Sequence, residues 1–149
     1  MRIDADSHWL LLAAALMLAW LVVLGWYDLR WRRLPNRLTL PGAALILSAA
    51  ALTGHGSASV VGAVALAGFH LVVHLADPRG MGAGDVKLAI GLGAATGAAG
   101  VDTWFLTALL APTFTALLGV AARRRGISDL PHGTSLCLVG ALAMLVRLS

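Results

Sequence analysis

Two aspartates are the residues in this sequence best placed to do chemistry. All seven acidic residues are aspartates. Asp28 and Asp85 each stand where an apolar run meets a polar segment. The other five lie in the N-terminal tail or between apolar runs: Asp4, Asp6, Asp77, Asp102 and Asp129. A carboxylate at the edge of an apolar run usually faces a polar cavity or a partner, because an isolated charge is costly there.

Two carboxylates that face one cavity do not ionise independently, and near neutral pH one is protonated while the other is ionised. Such a pair can hold a water molecule, remove its proton and protonate a leaving amide nitrogen, which is the chemistry of aspartic proteases. Taken singly, Asp28 and Asp85 are more simply interpreted as solvated residues at helix ends. Asp85 also suits a helix N-terminus, where a carboxylate binds free N–H groups. The paired interpretation therefore depends on the elements that position both residues.

The composition indicates a membrane protein. Of the 149 residues, 59% are apolar and 12% are charged, against about 45–50% and about 25% in ordinary soluble domains. These proportions exclude a water-soluble enzyme, a disordered tail and a nucleic-acid-binding domain, although the net charge is +4. We therefore expect no nucleic-acid partner, and we expect the chain to contact the lipid bilayer.

Six apolar runs are separated by short polar segments. They cover residues 9–27, 38–53, 59–76, 85–99, 103–122 and 134–148. Because backbone polar groups must be paired inside a bilayer, and because the runs lack barrel alternation, each run predicts a helix. The predicted fold is all-α, a bundle of about six transmembrane helices forming one domain over residues 1–149. Glycines in the fourth run predict a central helix that is shielded from lipid.

The basic residues predict the orientation of the bundle. Nine of the eleven lie in or next to the first, third and fifth loops. These nine are Arg30, Arg32, Arg33, Arg37, Arg79, Lys87, Arg123, Arg124 and Arg125. The positive-inside rule places these loops in the cytoplasm and both termini outside. Asp28 and Asp85 would then lie at similar depth on the cytoplasmic side of the plasma membrane.

Two motifs around the aspartates resemble a known family. The first motif is YDLR at residues 27–30, followed by LPNRLTLPG at residues 34–42, and the second is MGAGDVKL at residues 81–88. Together they resemble the first-aspartate and GxGD segments of type IV prepilin peptidases. The resemblance implies a membrane aspartyl endopeptidase that removes the short basic leader from prepilin-like proteins at the cytoplasmic face. It implies no metal and no cofactor for cleavage.

The resemblance also assigns roles by position. Asp28 and Asp85 become the catalytic pair. Gly82 and Gly84 would let the backbone approach closely before the fourth helix begins.

Three further motif residues receive structural or binding roles. Pro35 would stop the helical path after the basic turn, and Asn36 would hydrogen-bond nearby backbone. Lys87 lies two residues beyond Asp85 and points away from it on a helix. We therefore expect Lys87 to contact substrate, lipid or another part of the structure.

The sequence departs from the family pattern at two places. It lacks an N-terminal extension with paired cysteines, so peptidase activity without methyltransferase activity is expected. This short form resembles peptidases of tight-adherence (Flp-type) pilus systems and archaeal preflagellin peptidases. Residues 130–134 (LPHGT) match the family's usual Pro-aromatic-Gly-Pro in part, and we expect the departures at His132 and Thr134 to leave both aspartates untouched. Self-association into a homo-oligomer stays open.

Two histidines and one other class of function compete with this interpretation. His70 and His74 are four residues apart and would share a helix face, a spacing that can bind a metal. No Glu or Cys stands near them, so packing or interhelical hydrogen bonds are favoured. A small ion or solute transporter that uses Asp28 and Asp85 is the alternative function, although transporter sites tend to lie near the membrane midplane. A catalytically silent partner in pilus assembly is a third interpretation.

Overall fold

The described part of the chain forms six helices. The computed structural model describes residues 5–31, 33–78, 81–123 and 132–148. The helices are α1 (Ala5–Trp31), α2 (Asn36–Leu52), α3 (Gly56–Ala76), α4 (Ala83–Ala99), α5 (Val101–Arg123) and α6 (His132–Leu148). Each predicted apolar run coincides with one helix, apart from Thr53 at the end of the second run, so the all-α prediction is confirmed. The structure does not describe some of the side chains that the sequence analysis covers, namely those of Asp4, Asp6, Arg32, Arg79, Arg123, Arg124, Arg125, Asp129, Pro131 and His132.

Backbone requirements of a few residues set the helix ends. Pro35 precedes α2 with φ −70° and ψ 128°, and its carbonyl accepts the N–H groups of Leu38 and Thr39 at 2.9 and 3.1 Å. Helix α1 ends at Trp31, before Pro35, and Pro35 is the N-cap residue of α2. Gly54 and Gly100 form the α2–α3 and α4–α5 turns with φ of 80° and 130°, which residues with side chains rarely adopt.

Helix α4 lies at the centre of the bundle. It packs against α2, α3, α5 and α6. Its side chains Leu88, Ala89 and Leu92 are fully buried and join a core that includes Leu24 of α1 and Leu66 of α3. The glycine-rich fourth run is therefore the shielded central helix that the sequence predicts.

Glycines let α3 and α4 approach each other closely. A Cβ atom on Gly93 would meet the carbonyl oxygen of Gly62, and a Cβ atom on Gly97 would meet that of Ala58. Across the same contact, the hydroxyl of Ser59 donates to the carbonyl of Ala94 at 3.0 Å. Small residues of this kind are typical of helix contacts in lipid, where no hydrophobic effect drives the helices together.

Trp20 joins α1 to α2 and α4, the helices that contain most of the LPNRLTLPG and MGAGDVKL segments. Its indole N–H donates to the carbonyl of Leu38 at 3.0 Å. Added Cβ atoms on Gly42 of α2 and Gly91 of α4 would both overlap the indole ring. Gly42 and Gly91 thus provide space for a large side chain of α1 between α2 and α4.

The outer surface of the helices is apolar. Large side chains such as Val22, Leu45 and Val64 are about two-thirds exposed or more, at 68%, 72% and 68%. Within the described residues, Leu12–Trp31 and Gly56–Ala76 are long and apolar enough to cross a membrane, and 22% and 28% of their apolar windows are buried. A core helix of a soluble protein would be mostly buried, so this exposure favours membrane-spanning helices over core helices of a soluble protein.

Candidate active site

Polar contacts bring several helix ends to one end of the bundle. The last turn of α1 meets the first turn of α6 through Asp28 and Thr134. The first turns of α2 and α4 meet through Asn36 and Lys87. The last turn of α3 contacts the segment before α4 through His74. The ends of α1 and α3 and the beginnings of α2, α4 and α6 therefore lie around the two aspartates.

Asp28 is buried and accepts two hydrogen bonds on the same oxygen. Its side chain is 6% exposed. Its Oδ2 atom accepts the backbone N–H of Thr134 at 2.7 Å and the Thr134 hydroxyl at 3.0 Å. The expectation that Thr134 leaves both aspartates untouched is therefore wrong. Helix α6 packs against α1, and its first turn has backbone N–H groups without acceptors inside the helix.

Asp85 is equally buried and caps α4. Its side chain is 6% exposed, and it occupies the third position of the helix after the N-cap residue Gly82. Its Oδ2 atom accepts the N–H of Gly82 at 3.2 Å. This is half of a capping box, because Gly82 has no side chain to make the second bond. Asp85 therefore lies at a helix N-terminus as expected, whereas the interpretation of Asp28 and Asp85 as solvated residues is wrong because both are buried. The capping role is compatible with a further role because a carboxylate can accept several hydrogen bonds.

The two carboxylates interact with each other electrostatically. Asp28 acts on the charge of Asp85, although the two residues belong to different helices. The buried thiol of Cys137 on α6 interacts with both of them. Cys137 belongs to the same core as Leu24 and Leu88. In such apolar surroundings two like charges disfavour simultaneous ionisation, so the arrangement can hold one proton between the two groups.

The two motif glycines differ in what they do. A Cβ atom on Gly84 would lie 3.0 Å from the Cβ atom of Leu34, so Gly84 allows the expected close approach. Gly82 has φ −75° and ψ 148°, which any residue can adopt, and an added Cβ atom would lie 3.7 Å or more from its neighbours. The expected close approach at Gly82 is therefore wrong, and Gly82 contributes its backbone N–H to Asp85 instead.

Asn36 and Lys87 contact each other. The Nζ atom of Lys87 donates to Oδ1 of Asn36 at 2.8 Å. Lys87 was expected to contact substrate, lipid or another part of the structure, and the described residues contain the last of these contacts. Asn36 finds a side-chain partner remote in sequence, where nearby backbone was expected. The bond ties the beginning of α2 to the beginning of α4.

The two histidines form hydrogen bonds to backbone carbonyls. Nδ1 of His70 lies 2.9 Å from the carbonyl of Leu66, and Nδ1 of His74 lies 2.7 Å from the carbonyl of Met81. A carbonyl can only accept, so each Nδ1 carries a proton. No group of three or more metal-binding side chains occurs among the described residues. His74 also interacts electrostatically with Asp85, so it connects α3 to the segment that carries the second aspartate.

Thr134 and Cys137 are the site residues that sequence reasoning missed. Thr134 follows Gly133 and is the first residue of the sixth apolar run. A threonine at the beginning of an apolar run is a typical signal for the start of a helix. That signal, combined with the predicted side of the membrane, could have placed Thr134 near Asp28. Cys137 lies inside an apolar run, and nothing in the sequence distinguishes it from a residue that only packs.

Comparison with known families agrees with the motifs. A model of the type IV leader peptidase family matches residues 15–120, which include Asp28 and Asp85. The chain belongs to the type IV leader peptidase family. Neither the curated proteins nor the solved structures contain a significant match. Thr134 and Cys137 lie beyond the matched residues.

Proposed function

We propose that this chain is a membrane aspartyl endopeptidase that removes the short basic leader from prepilin-like proteins of the Flp, or tight-adherence, type. Asp28 and Asp85 are its catalytic pair, at the cytoplasmic face of a bundle that crosses the plasma membrane six times. The observation that carries the proposal is the burial of these two carboxylates at helix ends in a chain of the type IV leader peptidase family. The proposed enzyme is one domain and has no methyltransferase activity.

The chemistry needs two carboxylates in different protonation states. The ionised carboxylate takes a proton from water while the water oxygen bonds to the scissile carbonyl carbon. The protonated carboxylate gives its proton to the carbonyl oxygen. When the tetrahedral intermediate collapses, the first carboxylate passes its proton to the leaving amide nitrogen and the C–N bond breaks. The hydroxyl of the intermediate returns a proton to the second carboxylate, so the pair regains its starting state.

The site supports a peptidase better than a transporter. Asp28 lies in the last turn of α1 and Asp85 in the first turn of α4, so both are at helix ends. Transporter sites tend to lie near the midplane, where discontinuous helices meet. The family match points in the same direction, and no described contact favours an ion path.

The decisive experiment is leader cleavage by single aspartate variants. The full chain is expressed with a prepilin that carries a basic leader, and cleavage is followed by the change in prepilin mass. Asp28→Asn and Asp85→Asn should each lower the rate by about 10²–10⁴-fold, because each removes a proton-transfer group. A metal chelator should leave wild-type cleavage unchanged, because the mechanism uses carboxylates alone.

Asp102→Asn is the matched control for these variants. Asp102 is an exposed carboxylate in the first turn of α5, so the same chemical change there should leave cleavage at the wild-type rate. Cleavage that persists in both single variants at Asp28 and Asp85 would end the assignment. Loss of cleavage on chelation would instead direct attention to His70 and His74.

A further inference from the structure

The carboxylate of Asp28 is held by the beginning of another helix. Thr134 is the third residue of α6, and its backbone N–H and its hydroxyl both donate to Oδ2 of Asp28. The backbone donor is available because the first four N–H groups of a helix lack acceptors within it. Asp28 thus serves α6 as a cap supplied by α1, across 106 residues of sequence.

Among the described residues, the two aspartates are therefore bound unequally. Oδ2 of Asp28 has two short bonds, of 2.7 and 3.0 Å. Oδ2 of Asp85 accepts the Gly82 N–H at 3.2 Å. Hydrogen bonds donated to a carboxylate favour its charged form. Each carboxylate lies at the positive end of a helix dipole, Asp28 at that of α6 and Asp85 at that of α4, so the hydrogen bonds and not the dipoles distinguish the two groups. If the pair carries one proton, this difference decides which carboxylate keeps the charge.

We propose that Thr134 is a positioning residue that keeps Asp28 as the ionised member of the pair, leaving the proton on Asp85. This inference rests on the proposed peptidase function and assigns its two roles. Asp28 takes the proton from the attacking water, and Asp85 gives its proton to the scissile carbonyl oxygen. Both Thr134 bonds fall on Oδ2, so Oδ1 of Asp28 is the oxygen that receives the water's proton.

Other titratable groups also interact with the two aspartates, and they must be the same in wild type and in a variant at position 134. Among the described residues, Asp85 faces Asp28 from α4, and the Cys137 thiol interacts with it from α6. His74 of α3 interacts with Asp85. None of these groups is changed by a substitution at position 134, so a shift in pH dependence there reports on the bonds to Asp28.

Thr134→Val and Thr134→Ser separate the hydroxyl bond from the packing of the side chain. Valine has nearly the shape of threonine but no hydroxyl, whereas serine keeps both donors. For Thr134→Val we expect kcat about 10-fold lower, since a hydrogen bond to a charged group is lost. The acid limb of the pH profile should move up by about one unit, because Asp28 then ionises less readily. KM should not change, and Thr134→Ser should stay within about twofold of wild type.

Thr113→Val provides the control for removing a hydroxyl from a helix. Thr113 is exposed on α5, and its hydroxyl donates to the carbonyl of Leu109 in its own helix. Wild-type kcat and pH profile are expected for this variant. If Thr134→Val also keeps the wild-type kcat and acid limb, the proposal is overturned. It is equally overturned if Thr134→Val lowers activity with no shift of the acid limb, because the residue is then only structural.

A spectroscopic measurement decides the same question without any substrate. The infrared C=O band of protonated Asp28 is identified in the purified full chain as the band that Asp28→Asn lacks. This band should appear at higher pH in Thr134→Val than in wild type, and an equal midpoint contradicts the proposal. If wild type cleaves no prepilin, the peptidase function fails, yet the infrared titration still decides whether Thr134 holds the charge on Asp28.

Discussion

Asn36 and Lys87 connect the two segments on which the aspartates depend. Asn36 is the first residue of α2, directly after the loop that follows Asp28, and Lys87 is two residues beyond Asp85. Their 2.8 Å bond links side chains from the two motifs. An ammonium donor makes this bond stronger than one between neutral groups. The bond therefore fixes the beginning of α4 relative to the beginning of α2.

A double-mutant cycle measures this connection. Lys87→Met keeps most of the side-chain length without the charge, and Asn36→Ala removes the acceptor. Each should lower kcat/KM by about 2–10-fold, the range expected from a net loss of about 0.5–1.5 kcal/mol. The double variant should be no worse than the more damaging single variant, because both remove the same bond.

Arg37→Met is the control for charge at this end of the bundle. Arg37 is exposed and adjacent to Asn36, and its substitution should leave kcat/KM near the wild-type value. Strictly additive losses in the Lys87 and Asn36 variants would show that the two residues act independently.

The site could be predicted from sequence only where a residue is chemically unusual in its surroundings. Asp28 and Asp85 are conspicuous because carboxylates at the edge of apolar runs are costly. Thr134 is not conspicuous, because a hydroxyl can bond to its own helix, as Thr113 does. Its role depends on the packing of α6 against α1, which hydropathy does not encode. The motif glycines show the same limit, since Gly84 is crowded and Gly82 is not.

At the level of helices, the α3–α4 contact sets where Asp85 lies. Both helices contribute glycines, and their backbones are so close that a Cβ atom added on Gly62, Gly93 or Gly97 would overlap a backbone carbonyl oxygen of the other helix. Helix α4 begins with the segment that holds Asp85. A change in the distance between α3 and α4 therefore moves the second carboxylate as well as the core.

Gly93→Ala tests this dependence. The new Cβ atom would lie 2.9 Å from the Cβ atom of Leu66 and 3.0 Å from the Cα atom of Ala63. Forcing a methyl group into a packed contact should destabilise the bundle by about 1–3 kcal/mol. Unfolding of the purified protein in detergent measures the loss, and cleavage should fall in parallel.

Gly68→Ala is the matched substitution on α3. An added Cβ atom there meets nothing within 4 Å, so stability should stay the same or rise by up to about 1 kcal/mol, the helix preference of alanine over glycine. Equal effects of Gly68→Ala and Gly93→Ala would show that close packing does not explain the glycines of α4.

The limits of the helices were largely predictable, because apolar runs end at charged residues, Pro or Gly. The main difference is that α1 extends from Ala5 to Trp31, beyond the apolar run at 9–27. Most residues outside that run are polar yet compatible with a helix, such as Asp6, Ser7 and Arg30, so hydropathy alone underestimates the element. Which helices touch each other was not predictable in the same way, since it depends on the shapes of Trp20, Gly42 and Gly91.

At the level of the whole molecule, Arg30, Arg33, Arg37 and Lys87 lie by the same helix ends as Asp28 and Asp85. Arg33 lies in the α1–α2 connection, while Ser57 lies at the beginning of α3, by the α2–α3 turn. The excess of Arg and Lys around the first end predicts that it faces the cytoplasm. This orientation would deliver the cytoplasmic leader of a substrate to Asp28 and Asp85.

Single introduced cysteines test the orientation. Cys137, the one native cysteine, is replaced by alanine, and either Arg33→Cys or Ser57→Cys is added at an exposed position. In intact bacterial spheroplasts, a membrane-impermeant thiol reagent should label the Ser57→Cys chain. The Arg33→Cys chain should be labelled only after permeabilisation. The reverse pattern would place the aspartates outside the cell and contradict the proposed orientation.

The helices fall into two groups, and each group carries one carboxylate. Asp28 belongs with α1, α5 and α6, while Asp85 belongs with α2, α3 and α4, and α4 borders both α5 and α6 where the groups adjoin. Among the described residues, the hydrogen bonds to Asp28 and Asp85 each stay inside one group. Trp20 of α1 crosses the boundary between the groups, since its indole N–H donates to the carbonyl of Leu38 of α2 and its ring packs against Gly91 of α4. The spacing of the two carboxylates therefore depends on a contact outside the site.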